Sequence, residues 1–381
     1  MNSASPLRRH LFRISLEAAR LLLAASFLFS GGVKAIDPMG GAIKIEEYLR
    51  AFGMEQFEFL ATLGAFNLCA MEFALGACLL VGAFRGFTTL IMLLFMAAMT
   101  ALTLYLALFD PVSDCGCFGD ALRLSNWETF GKNVLLLSAA LFTFCHWRKL
   151  TRLLPMKVLW LASFLPYTLC IGFAWWNYNH LPLVDFRPFK VGANIPELMS
   201  IPEGAAEDEY RHTLVYEKAG QRQHFPLDSI PAEGSGWTFV EAQSELLKQG
   251  YRPLVESFQL FDAKGEEVSD FILSQEKLVY LLIMPDAATA NEENTDIISD
   301  IYDRTVEEGS LFYAVVGSSD ASFQEWTDYT GAEYPHLKAD ATLLKTIVRS
   351  NPGLVLLHKG TIIQKLHYND LANDEQRTLP N

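Results

Sequence analysis

Five long apolar runs occupy the first half of the chain, and each could cross a bilayer as a helix of about 20 residues. The runs lie near residues 14–33, 59–84, 88–109, 130–146 and 158–176. The first run carries Glu17 and Arg20, a pair expected to neutralise each other at i and i+3, and no small-residue cleavage site follows it. The pattern therefore predicts five membrane helices, of which the first is retained rather than cleaved.

The second half alternates between short apolar runs and amphipathic segments. The expected strands lie at 258–261, 277–284, 311–317, 353–358 and 361–367, and the expected helices at 291–308, 321–329 and 341–349. Continuous apolar strands separated by a helix predict a parallel β-α-β unit covered on both faces. Ahead of this unit, residues 177–202 form a Pro-rich linker, and 213–216 with 224–227 form a β-hairpin around a glycine turn.

Charge differs sharply between the two halves. Residues 1–176 contain 14 basic and 11 acidic side chains, a net charge of +3, whereas residues 177–381 contain 16 and 33, a net charge of −17. The acidic half lacks the Lys/Arg clusters that bind phosphates, so nucleic acid is excluded as a partner. None of the 8 histidines lies in an H-x-x-H pattern, and no metal site is expected.

The basic residues of the helical half predict its orientation. They precede the first run, mark the turn between the second and third, and crowd the connection between the fourth and fifth: Arg8, Arg9, Arg13, Arg85, Arg148, Lys149, Arg152 and Lys157. Because positive loops stay in the cytoplasm, we expect the N-terminus inside and the C-terminal half outside. Lipid is then one partner of the chain.

The stretch 114–120, D-C-G-C-F-G-D, lies in the outer loop between the third and fourth runs. Cys115 and Cys117 are the cysteines expected outside the cytoplasm, where disulfides persist. Gly116 permits the tight backbone that a C-x-C disulfide needs. Asp114 and Asp120 are expected to raise the thiol pKa, with Arg123 partly offsetting them. The hypotheses are a redox dithiol, a structural link and, least favoured, a metal site.

Glu72, in the middle of the second run, is the other candidate for chemistry. An ionisable group at that depth is costly and marks function by default, here as a proton carrier or a ligand of a quinone oxygen. The alternative is a structural contact with Tyr105, Asn67 or Arg20. Cys69 and Cys78 are interpreted as packing residues.

The segment 30–49, S-G-G-V-K-A-I-D-P-M-G-G-A-I-K-I-E-E-Y-L, together with the C-G-C-F-G loop, resembles the DoxX/MauE family of bacterial membrane proteins over roughly residues 10–150. Lys34 and Asp37 of this segment could pair across the outer loop and pack against the cysteine loop, but an ordinary interfacial lysine is the interpretation that we favour. The resemblance implies a four-helix membrane bundle. It also implies support of periplasmic disulfide formation, and a quinone as candidate electron acceptor.

The order β-α-β-α-β-β resembles the thioredoxin fold, and Pro352 stands where such proteins carry a cis-proline. The segment 285–290 has no C-x-x-C, and no cysteine follows Cys170. The expected organisation is therefore a four-helix membrane domain (1–150), a fifth span (151–180), a linker with a hairpin (181–250) and a thioredoxin-like α/β domain without a C-x-x-C (251–381).

Two functions follow from this organisation. The first is a thiol–disulfide relay in the bacterial inner membrane that acts through Cys115 and Cys117, with Glu72 assisting, on a periplasmic client or thiol oxidoreductase. The second is a non-enzymatic scaffold in which the cysteines only staple the loop. Whether the chain is an oxidoreductase, and whether a quinone serves it, stays open at this point.

Overall fold

The computed structural model describes residues 6–374 apart from residues 113, 114, 123, 207, 208, 219, 227, 228, 233 and 249. The first half is helical. Its helices are α1 (Pro6–Ile36), α2 (Pro38–Ala51), α3 (Ala61–Val81), α4 (Arg85–Phe109), α5 (Asn126–Cys145) and α6 (Leu161–Asn179). Within the described residues, three helical segments are long and apolar enough to cross a membrane: Glu55–Val81, Arg85–Phe109 and Met156–Asn179. The expected count of five spans stays a prediction.

Close approach of α1 to α3 organises the bundle. A Cβ on Gly31 would lie 2.6 Å from the carbonyl oxygen of Cys69, and one on Gly76 would lie 2.8 Å from the backbone nitrogen of Leu28. Small residues at both crossings therefore let the two backbones touch, as in membrane helix pairs generally. α4 packs on α5, and α6 packs on α3.

Helix α2 was not among the helices predicted from the sequence. Asp37 supplies the signal for its start, because its carboxylate accepts a hydrogen bond from the backbone N–H of Gly40 at 2.8 Å. Pro38 occupies the first turn, where its missing N–H costs no hydrogen bond. The turn at Asp37 thus brings α2 back over the end of α1.

A three-stranded antiparallel sheet follows the helical half. Its strands are β1 (Glu209–Lys218), β2 (Gln221–Pro226) and β3 (Thr238–Lys248), in the order β2-β1-β3. The expected hairpin is confirmed, since Lys218 pairs with Gln221 and Thr213 with Pro226. β3 was missed because its exposed sequence lacks a clear apolar alternation.

The C-terminal unit is an α/β fold around a five-stranded sheet. Its strands are β4 (Val279–Met284), β5 (Leu311–Val316), β6 (His336–Lys338), β7 (Gly353–His358) and β8 (Thr361–His367). Its helices, with the short one that precedes the three-stranded sheet, are α7 (Ile195–Met199), α8 (Ser269–Leu273), α9 (Thr295–Glu307), α10 (Asp320–Thr330), α11 (Ala341–Ile347) and α12 (Leu371–Asp374). The strand order is β6-β5-β4-β7-β8, with β4 parallel to β5 and antiparallel to β7.

The central strands confirm the expected β-α-β-α-β-β order and its burial on both faces. Every residue of β4 is buried, with alternate side chains entering two separate cores. Two details of the prediction were wrong. Residues 258–261 form no strand, because only Phe261 makes bridges, to Glu267 and Lys338. The edge strand β6, three residues long, was missed.

Ion pairs and hydrogen bonds join the α/β unit to the bundle. The guanidinium of Arg349 donates hydrogen bonds to both carboxylate oxygens of Asp37, with Nε 3.1 Å from each and Nη2 2.9 Å from Oδ2. A second contact lies at the end of α6, where Nδ1 of His180 is 2.6 Å from Oδ1 of Asp370. The unit is therefore seated on the end of the bundle where α1 meets α2.

We expect the pair formed by Asp37 and Arg349 to control this seating. Asp37→Asn and Arg349→Gln should each weaken docking by about 2 kcal/mol, because both remove charge-assisted hydrogen bonds at a half-buried junction. Limited proteolysis of residues 180–202 should then accelerate roughly 30-fold. The double variant should resemble either single variant, since one pair is lost in each case.

Arg222→Gln is the matched control, because its exposed pair with Glu217 on the three-stranded sheet contributes little to stability. Cleavage of both single variants at the wild-type rate would contradict the assignment of the junction.

Candidate functional site

The dithiol loop, residues 110–125 between α4 and α5, is held from three sides. The hydroxyl of Tyr48 on α2 donates to the carbonyl oxygen of Cys115 at 2.9 Å. The hydroxyl of Ser30 on α1 donates to the carbonyl oxygen of Cys117 at 2.7 Å. On α5, the side-chain amide of Asn126 donates to the carbonyl oxygen of Val112 at 3.1 Å. The backbone of both cysteines is thus fixed by side chains from other elements.

All six cysteines of the chain lie among the described residues and are free thiols. Cys115 is 8% exposed, and Cys117 is half-buried. The backbone N–H of Cys117 donates to Sγ of Cys115 at 3.2 Å. Between them Gly116 has a φ of +60°, and a Cβ there would lie 2.7 Å from Cγ of Lys44, so only glycine fits.

The two thiols have unequal acidity. A hydrogen bond from the thiol of Cys117, together with its backbone N–H, outweighs burial and lowers the pKa of Cys115 to about 6. The same contact and burial raise the pKa of Cys117 well above its ordinary value. The expectation of a raised pKa at both thiols was therefore wrong for Cys115. Asp114 and Arg123, on which that expectation partly rested, lie outside the described residues.

Lys132 on α5 contributes to the low pKa of Cys115, and the sequence analysis missed it. Its ammonium lies 4.0 Å from the ring centroid of Phe118, and its charge helps to lower the pKa of Cys115. The signal was present in the sequence as a single cation within the apolar run 130–146. It was passed over because the sequence does not show which face of α5 meets the loop.

Lys34 and Glu72 form a buried ion pair beneath the dithiol loop. Nζ of Lys34 lies 2.7 and 2.8 Å from the two carboxylate oxygens of Glu72, and 3.0 Å from the Ser30 hydroxyl. The alternative pairing of Lys34 with Asp37 was wrong, as were the suggested contacts of Glu72 with Tyr105, Asn67 or Arg20. Arg20 instead pairs with Glu17 at 2.9 Å, as expected.

A polar chain thus runs from Glu72 through Lys34 and Ser30 to the backbone of Cys117. A small cavity of about 40 Å³ lies beside this polar chain and is lined by the residues at its two ends, Glu72 and Cys117. Its other walls come from α1, α4, α5 and the dithiol loop: Ser26, Phe27, Phe95, Met96, Met99, Phe118, Lys132, Asn133 and Leu136. Cys117 therefore faces the interior of the bundle as well as the loop surface.

Asp37 belongs to the junction between the bundle and the α/β unit, and Pro352 lies within the α/β unit. Burial alone would raise the pKa of Asp37, but the guanidinium groups of Arg349 and Arg187 hold it below its ordinary value. Pro352 directly precedes β7 and follows a cis peptide bond, as expected for its place in the fold. Arg349, three residues earlier, also lies 3.9 Å from Asp120 of the dithiol loop.

A cleft of about 260 Å³ separates the bundle from the α/β unit. Gly116, Gly119 and Asp120 of the dithiol loop form one wall. The opposite wall includes Thr342, Thr346 and Arg349 of the α/β unit. The loop therefore borders an opening between the two halves.

The helical region can now be compared with known proteins. Residues 13–146 match the family model described as methylamine utilisation protein MauE. The MauE-like region contains α1 from residue 13 onward, α2 to α5 and the whole dithiol loop. Residues 210–249, which include most of the three-stranded sheet, match a domain of unknown function, DUF8463. None of the curated proteins compared matches the chain.

Among solved structures, the chain is similar to a solution structure from Bacteroides thetaiotaomicron, provisionally assigned as a protein disulfide isomerase. The identity is 17%, the match covers 32% of this chain and 82% of that one, and the TM-score is 0.27. The thioredoxin-like description of the α/β unit rests on its own strand order, β5-β4-β7-β8, with β6 added at the edge.

We expect Cys115 to react as a thiolate at neutral pH. Its alkylation rate should rise with pH around a midpoint near 6, read by mass spectrometry of the loop peptide. Cys117→Ala should raise this midpoint most, because it removes the largest stabilising contact. Lys132→Gln should raise it less, because only a distant charge is lost.

Lys149→Gln is the matched control, since Lys149 lies against Phe12 at the other end of the bundle. A midpoint between pH 8 and 9 in the wild-type chain would rule out the assignment of an acidic thiol at Cys115.

Proposed function

We propose that this chain is a multi-pass inner-membrane protein that oxidises thiols outside the cytoplasm through Cys115 and Cys117. The observation that carries the proposal is the thiolate environment of Cys115, with Cys117 adjacent to it. Stabilising the thiolate stabilises the reduced pair, which makes the corresponding disulfide a stronger oxidant. The direction of electron flow would then be from a client to the pair.

The unequal burial of the two residues, with Cys115 buried and Cys117 half-buried, supports a defined order of attack. A client thiolate attacks Sγ of Cys117, the bond between Cys117 and Cys115 breaks, and its electron pair leaves on Cys115. The low pKa of Cys115 makes it the better leaving group. A second client thiolate then attacks the client sulfur of the mixed disulfide and releases Cys117. The client loses two electrons and two protons, and the pair becomes a dithiol.

Return to the disulfide requires an acceptor of two electrons and two protons, and a membrane quinone is the proposed class. The charged groups around the small cavity have the right chemistry for quinone oxygens and protons, since Lys34 and Lys132 can donate hydrogen bonds and Glu72 can accept a proton. The cavity of about 40 Å³ has room for only a few water molecules, so it gives no direct support for a bound quinone. The quinone link therefore rests on the family resemblance, and no step is assigned to it.

The proposed orientation is supported by the separation of charge along α1. Phe12, which contacts Lys149, and Ser30, which contacts Cys117, are 18 residues apart on one helix, about 27 Å along its axis. Lys149 and the basic residues at the start of α1 therefore lie at one end of the bundle and the dithiol at the other. With the basic end cytoplasmic, the dithiol and the α/β unit lie in the periplasm.

The α/β unit would serve docking rather than electron transfer. It has no cysteine, so it cannot exchange disulfides itself. Its contact through Arg349 places it against the cleft beside the dithiol loop. We propose that it presents a client or partner oxidoreductase to Cys117.

A scaffold without redox activity is the second candidate. The burial of Cys115 and the three hydrogen bonds that hold the loop favour it, because both would suit a structural thiol pair. The two candidates differ in whether Cys117 ever bonds covalently to another protein.

Single cysteine variants should separate the two candidates. Cys115→Ser should accumulate mixed disulfides through Cys117, because Cys115 can no longer displace the client. Cys117→Ser should accumulate at least several-fold fewer, because the remaining thiol is buried. Acid-quenched membranes and non-reducing gels provide the measurement.

Cys145→Ser is the matched control, since Cys145 is exposed at the opposite end of the bundle and should not change the adducts. Absence of adducts in both loop variants, with the folded chain present at normal levels, would favour the scaffold and exclude the relay.

A further inference from the structure

A cationic groove lies at the end of the bundle opposite the dithiol. It has a volume of about 430 Å³ and is lined by Arg8, Arg9, Phe12, Arg13, Leu16 and Lys149. Four of these six residues are cations. No carboxylate lines the groove in the part of the chain that the structure describes. Its place and charge are independent of the thiol chemistry proposed above.

The groove combines cations with an apolar floor. Leu16 is 1% exposed, and Phe12 packs edge-on against Phe142, with centroids 5.8 Å apart. The ammonium of Lys149 lies 4.5 Å from the ring centroid of Phe12, which fixes this cation over the floor. The groove therefore combines cations that can bind an anion with an apolar surface at its floor.

Arg9 and Arg13 lie four residues apart on α1, so both project from one face of the helix. Neither has a carboxylate partner among the described residues. The nearest acid along α1, Glu17, already pairs with Arg20 and accepts a hydrogen bond from Thr151 at 2.8 Å. In the part of the chain that the structure describes, the charge of the two arginines is thus uncompensated.

The surroundings favour a lipid over a free anion. Large apolar side chains of α1 beside the groove are exposed, with Leu11 at 57% and Ile14 at 53%. In a membrane protein these side chains face acyl chains, which places the groove at the height of the head groups. We propose that the groove binds the head group of one anionic phospholipid, with the phosphodiester on Arg9, Arg13 and Lys149.

Titration of the purified full-length chain in non-ionic detergent tests this site, because the micelle removes the surface potential of a bilayer. Phosphatidylglycerol should bind as one molecule per chain by native mass spectrometry. The double variant Arg9→Gln/Arg13→Gln should bind it about 30-fold more weakly, from roughly a fivefold factor per cation. Phosphatidylcholine should show no comparable site.

The double variant Arg152→Gln/Lys157→Gln is the matched control. It removes the same charge from the same end of the bundle but leaves the groove intact, so its affinity should stay within about threefold of wild type. Equal weakening of phosphatidylglycerol binding in both double variants would show that the general positive charge of this end attracts the lipid and that the groove is not a discrete site. Equal binding of phosphatidylcholine, or full competition by millimolar inorganic phosphate, would also overturn the proposal.

Discussion

The buried ion pair between Lys34 and Glu72 is the constraint on which the candidate site depends. Either charge alone inside a membrane bundle would be costly, so the two residues must stay together. Their pairing ties α1 to α3 and leaves the ammonium of Lys34 beside the hydroxyl of Ser30. That hydroxyl supports the backbone of Cys117. The position of the dithiol loop is thereby set from within the bundle.

The second constraint joins the two halves of the chain. Asp37 caps α2 through its hydrogen bond to Gly40 and also binds Arg349 of the α/β unit. The carboxylate of Asp37 therefore fixes both the start of α2 and the position of the α/β unit on the bundle. Because Tyr48 on α2 also holds Cys115, the junction and the dithiol share a support. This sharing is why a docked partner would meet the loop in a defined geometry.

Local sequence patterns predicted much of the fold but few of the side-chain contacts within the candidate site. β4 and β5 were predicted because a continuous apolar run between polar turns identifies a buried strand. The cysteine loop was found because its residues are adjacent in sequence. Lys34 was interpreted as an ordinary interfacial lysine, with the nearby Asp37 as its alternative partner, yet it pairs with Glu72, which is 38 residues away. Such contacts depend on which helix faces meet, and a single sequence does not show this.

The central claim is that Cys115 and Cys117 form a redox couple. Equilibration of the purified chain in glutathione buffers, followed by alkylation and mass spectrometry of the loop peptide, measures it most directly. The account predicts one two-electron transition, in which both thiols are lost together, at a potential above about −200 mV. Two alkylated thiols at every potential would contradict it.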